Sequence, residues 1–97
     1  MPRPEPSASE ENYLKAIYKH SENGSAASTN SLAQELGTTP ASVTDMLKRL
    51  SDKDLVQYTP YRGVVLTVAG QGVALQTLRK HRLWEVFLVE YLHFSWD

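Results

Sequence analysis

Apolar residues recur along the chain at two different periods, and the changes of period divide it into elements. Tyr13, Leu14, Ile17 and Tyr18 fall at i, i+1, i+4 and i+5 and form one stripe of an α-helix. Ser7 or Ser9 can cap it, and Glu10 and Glu11 lie in its first turn, where negative charge suits the positive end of the helix. The stripe stops before the turn-rich "SENGSAAS". A short second helix is expected from Asn30, with Asn30 or Ser31 as its cap, Leu32, Ala33 and Leu36 inward, and Gly37 as its left-handed stop. The third helix opens on Thr39, a good cap, and Pro40, whose missing N–H is harmless at the first helical position. Val43, Met46, Leu47 and Leu50 give its inward face. Beyond "SDKDL" two β-prone runs, Val56 to Thr59 and Val64 to Thr67, flank Pro60-Tyr61-Arg62-Gly63, which predicts a hairpin. Thr67 then caps a last, long helix, with Gly70 and Gly72 near its start either weakening it or allowing close packing.

This order (helix, short helix, turn, helix, hairpin, long helix) predicts a mainly α fold with a small β-hairpin: a winged helix-turn-helix followed by a long helix that begins a dimerisation region. The expected organisation is a disordered arm over 1–8, rich in proline, a winged domain over 9–67, and a final region over 68–97. The chain has 97 residues, 41% of them hydrophobic and 22% charged, which suits one small globular core. Ten Lys+Arg against eleven Asp+Glu give a net charge of -1, so nucleic-acid binding must rest on local clustering and not on an overall basic field. There is no cysteine, which excludes disulfides, thiolate zinc sites and cysteine nucleophiles and fits a reducing compartment. The first residues are acidic and proline-rich, unlike a signal peptide, and the run Val86 to Val89 is too short to span a bilayer, so the expected location is cytoplasmic with no membrane partner.

In "SLAQELGTTPASVTDMLKRL" the third helix carries, outside its core positions, short hydroxyls and small groups at its start and cations further along. Thr39, Ala41, Ser42, Thr44, Asp45, Lys48 and Arg49 are the candidate contacts to base edges and phosphates, and Arg62, beside Gly63 on the hairpin tip, is the candidate contact of the wing. Asp45, Asp52 and Asp54 oppose a phosphate backbone, so the local field is only weakly positive. The alternative readings are a winged-helix protein-interaction module or a metal-independent winged-helix regulator. An enzyme is not expected: three scattered histidines, no glycine-rich phosphate loop and no framed pair of carboxylates offer no catalytic constellation.

The segments "ENYLKAIY", "SLAQELGTTPASVTDMLKRL", "DLVQYTPYRGVVLT" and "KHRLWEVFL" follow the order and spacing of the diphtheria toxin repressor and manganese transport regulator family, which the chain resembles from about Ser9 to Asp97. The resemblance implies a metal-dependent transcriptional repressor, a homodimer on a palindromic operator in double-stranded DNA, with Fe2+ or Mn2+ as its cofactor. It also implies that His81 and Glu85 of the long helix are ligands of one metal site and that the position of Asn12 takes part in a neighbouring one. One helical turn apart, an imidazole and a carboxylate share a helix face and suit such ions; a local bond between the two is the other reading. Asn12 departs from the methionine or aspartate usual in the family, and Lys15 stands where the manganese branch has a glutamate and the iron branch tolerates a cation. Further ligands and most of the family's dimer surface would lie beyond Asp97, so metal binding by these residues alone is expected to be weak or absent. The helix from Trp84 to Leu92 is apolar nearly all round, and Trp84, Phe87, Leu88 and Tyr91 are the candidate dimer seam.

Overall fold

The computed structural model describes residues 6–21 and 25–92, with side chains described up to Phe87. Helix α1 spans Ala8–His20, α2 Thr29–Leu36, α3 Pro40–Asp52 and α4 Val68–Leu92; strands β1, Val56–Thr59, and β2, Gly63–Leu66, pair antiparallel with Val56 opposite Leu66 and Thr59 opposite Gly63. Among the described residues no helix is long and apolar enough to cross a membrane.

Of the two serines that could cap α1, it is Ser7 that does so. Its Oγ accepts the Glu10 N–H at 3.1 Å while the Glu10 carboxylate accepts the Ser7 N–H at 2.9 Å, a reciprocal capping box. Thr39 caps α3 with Pro40 as its first residue, and Gly37 ends α2 at φ 66°. The start of α2 differs from the sequence expectation: the cap is Ser28, whose Oγ accepts the Ser31 N–H at 3.0 Å, so Asn30 and Ser31 lie inside the first turn. The reason is tertiary. Ala27 forms an isolated bridge with Val64 of the hairpin, exchanging two 2.9 Å hydrogen bonds, and the chain must turn into the helix immediately afterwards.

The second strand also runs one residue earlier than the apolar run suggests, because Thr67 leaves it. Thr67 donates its N–H to the Leu55 carbonyl and its hydroxyl to the Asp54 carbonyl, while its Oγ1 accepts the Gly70 N–H at the start of α4. Gly70 is where α4 touches the body: a Cβ there would run into the Leu55 carbonyl oxygen, so close packing is its role, whereas one on Gly72 would meet nothing. The core gathers Leu14 and Ile17 from α1, Leu32 from α2, Val43, Leu47 and Leu50 from α3, Leu55, Val56, Val64 and, from α4, Ala74. Each fully buried leucine or valine contributes roughly 1.5–3 kcal/mol. Met46 and Leu36 pack against this cluster from its edge.

Polar contacts tie the helices together around that core. Glu10 of α1 receives Lys53, at the end of α3, at 2.8 Å. Glu35 of α2 receives His20 at 2.9 Å and Lys19 at 3.5 Å from the end of α1. Burial raises the Glu35 carboxyl, but the His20 hydrogen bond and the Lys19 charge outweigh it and leave it below its ordinary value. Across the α1–α4 seam, Glu11 Oε2 lies 3.1 Å from both the Lys80 ammonium and the Thr77 hydroxyl.

Candidate nucleic-acid interface

Helix α3 buries Val43, Leu47 and Leu50, and this fixes what it shows to solvent. Thr39, Ala41, Ser42, Asp45, Lys48 and Arg49 are all exposed, and Thr44 is half-buried. Their hydroxyls are not equally available. Thr39 Oγ1 accepts the Ser42 N–H at 3.2 Å and donates its proton to Ser42 Oγ at 3.0 Å, and Thr44 returns its proton to the Pro40 carbonyl at 3.0 Å. The cap therefore occupies Thr39 and Thr44 and leaves Ser42 with its own proton to give outward. On this face Lys48 and Arg49 stand one turn past Asp45, two cations against one carboxylate.

The wing tip holds Tyr61 at φ 68° and Gly63 at φ 108°, and Arg62 between them is exposed with its N–H closing the turn on the Thr59 carbonyl at 3.0 Å. Gly63 has a second reason to be glycine, since a Cβ would sit 2.5 Å from the Ala27 carbonyl oxygen. That close approach puts the wing against the start of α2. Ser28, Thr29 and Asn30 face Tyr58, Tyr61, Arg62 and Gly63 across a groove of about 280 Å³. Arg62 is legible from the sequence, whereas its companions at the head of α2 are signalled there only by the run of cap-forming residues "STNS". Free N–H groups at a helix start, hydroxyls and a guanidinium are donors suited to phosphate oxygens.

On α4 the arrangement is different. His81 is exposed, and its Nδ1 lies 3.3 Å from the ammonium of Lys15, one turn along α1 from Glu11. Asn12, about 100° round α1 from Glu11, faces another way and lines a groove with Ser9, Tyr13, Leu36 and Thr38 beside the helix-turn-helix turn. His81 thus meets Lys15, while Asn12 keeps company with α2. Among the described residues no three His, Asp or Glu side chains come together as a metal cage. Two donors one turn apart, one of them engaged by an ammonium, do not fit a tightly held transition metal. Beyond His81, Leu83, Trp84, Val86 and Phe87 are exposed, and the Trp84 and Phe87 rings stack at 5.3 Å and 17°. Leu88 and Tyr91 lie outside the described side chains, and His93 outside the described residues.

Residues 6–64 match the family model described as "Iron dependent repressor, N-terminal DNA binding domain", and residues 67–97 match "Iron dependent repressor, metal binding and dimerisation domain". An uncharacterized HTH-type transcriptional regulator of Methanocaldococcus jannaschii is 41% identical over 87 residues, covering 89% of this chain and 70% of its own. The HTH-type transcriptional regulator MntR of Shouchella clausii is 36% identical over 83 residues, 86% of this chain and 58% of its own. The solved structure of the manganese regulator SloR superposes with a TM-score of 0.76 at 38% identity, over 89% of this chain and 40% of that one. The chain thus spans little more than half of one such relative and less than half of the other.

Proposed function

Because the chain belongs to the iron-dependent repressor family, we propose that it is the DNA-binding part of a transcriptional repressor that acts as a homodimer on a palindromic operator and answers to Fe2+ or Mn2+. The observation that carries this reading is the outward face of α3, where Ala41, Ser42, Asp45, Lys48 and Arg49 are held clear of the core. In the major groove Ser42 and Ala41 meet base edges, Lys48 and Arg49 meet phosphates, and Thr39 and Thr44 hold the helix start in shape. Arg62 and the head of α2 take an adjoining phosphate across their shared groove. No enzymatic role is proposed, and the setting is the cytoplasm.

In this reading residues 9–67 form the reader and 68–97 begin the region that pairs two copies, with Trp84, Phe87, Leu88 and Tyr91 on the seam. The manganese named for the regulator SloR supports a divalent ion as the signal. His81 and Glu85 are the donors this chain offers, and ligands from outside the described residues must complete any site. The test is fluorescence anisotropy of the chain on a duplex selected from random sequence and on a scrambled duplex, over a range of salt. Arg62→Ala is expected to weaken both by a similar factor and lower the salt slope by about one. Ser42→Ala is expected to lose about 1–3 kcal/mol on the selected duplex alone. Equal affinity of the wild type for the two duplexes would refute sequence reading by α3.

A further inference from the structure

We propose that Lys15 is a tethered cation that competes with divalent metal for His81, so that the His81–Glu85 pair meets the ion only at raised concentration, and that fastens α4 to α1 while the ion is absent. The proposal rests on the reading of His81 and Glu85 as the chain's metal-facing donors. A lysine ammonium has three protons to donate and no lone pair, so at 3.3 Å from His81 Nδ1 it must be the donor and the ring nitrogen the acceptor. A neutral imidazole has one lone-pair nitrogen. If Nδ1 accepts from Lys15, Nε2 carries the ring proton, and a metal ion reaches the ring only by displacing the ammonium or the proton.

Charge acts in the same direction. A divalent ion bound to His81 would stand within a few ångströms of the Lys15 ammonium, a repulsion that weakens binding on the order of tenfold even when well hydrated. The neighbouring contacts show that Lys15 belongs to a seam and is not a stray surface group. One turn before it on α1, Glu11 receives Thr77, which is 2% exposed, and Lys80, so that α1 and α4 are joined at adjacent levels by side chains of this chain alone. An ammonium–imidazole bond at the next level continues that seam without any bound ion.

The test follows the His81 ring of the intact chain by NMR, above the ordinary range of histidine protonation, with manganous chloride as the paramagnetic probe. The wild type is expected to show the Nε2–H tautomer and to lose its His81 ring signals only at Mn2+ concentrations on the order of ten times those needed by Lys15→Gln. Lys15→Arg, which keeps the cation, is expected to behave as the wild type. Equal sensitivity of wild type and Lys15→Gln, or an Nδ1–H tautomer in the wild type, overturns the proposal. The tautomer is read on the wild type, so a Lys15→Gln chain that fails to fold does not remove the test. DNA binding by the metal-free wild type is measured separately, so failure of the DNA-binding reading is distinguishable from failure here.

Discussion

Glu10→Gln isolates the contact that ties the start of α1 to the end of α3. The glutamine keeps the shape and an oxygen for the Ser7 N–H, but it removes the charge facing Lys53. The Glu10 side chain is 5% exposed and that of Lys53 31%, so the pair lies between two limits. Exposed pairs contribute about 0–1 kcal/mol, and breaking a fully buried one costs about 3–5 kcal/mol. With one partner nearly a third open to water, about 2 kcal/mol is expected, a fall in Tm of roughly 10 °C for a chain of this size. Thermal and urea unfolding measure the loss, and a cycle with Lys53→Met isolates the pair from whatever else Lys53 touches. The pH dependence gives an independent reading. Burial raises the Glu10 carboxyl, but hydrogen bonds from Lys53 and the Ser7 backbone, with the Lys53 charge, outweigh it and hold it below 4.5. A carboxyl lowered on folding adds stability above its unfolded range and loses it as pH falls through the folded value. The gap between wild type and Glu10→Gln is therefore expected to be full at neutrality and to close below about 4.5. A coupling under about 0.5 kcal/mol, or a gap that persists unchanged into acid, would refute the account.

Three further outcomes are expected. Gly70→Ala should destabilise by 2 kcal/mol or more, on the order of other overpacking changes, because its methyl meets the Leu55 carbonyl, while Gly72→Ala in open space should stabilise by about 0.5–1 kcal/mol; urea midpoints decide, and equal effects would refute the close packing. Thr39→Ala should lose about 1 kcal/mol of stability as a cap, and DNA affinity measured well below its Tm should fall mainly where Ser42 is read; unchanged stability would contradict the cap. Phe87→Glu should abolish a concentration-dependent association seen by sedimentation from low to high micromolar, and association untouched by the charge would remove this stretch of α4 from the seam.

The parts of the fold that were legible in the sequence are those fixed by neighbours in the chain. Thr39-Pro40, Gly37, the hairpin around Pro60 to Gly63 and the apolar faces of α1 and α3 all follow from local capping, turn chemistry and periodicity. The start of α2 was not legible, because four cap-competent residues stand in a row and the choice among them is made by Val64, thirty-seven positions after Ala27. The two roles open to Gly70 were likewise decided by Leu55. Most of the site followed the same rule. The exposed residues of α3 could be named from the helix period, whereas the groove between α2 and the wing, and the Lys15–His81 contact across 66 positions, exist only once the chain has folded.

Helix α4 also has a mechanical meaning. It is 25 residues long, about 37 Å at 1.5 Å per residue. Its root is clamped by Gly70, Ala74 and Thr77, all buried against the body, and the fifteen positions from Thr77 to Leu92 extend it by about 22 Å more. It is a lever with a short arm in the winged body and a long arm toward its far end. A tilt of about 10° at the root moves that end by about 4 Å, more than the rise of one base pair. In a two-fold pair held by the far ends, the same tilt is returned to both reading heads. In such a pair the stiffness of the clamp, which Glu11 and Lys80 share with Thr77, sets how far apart the two heads can stray.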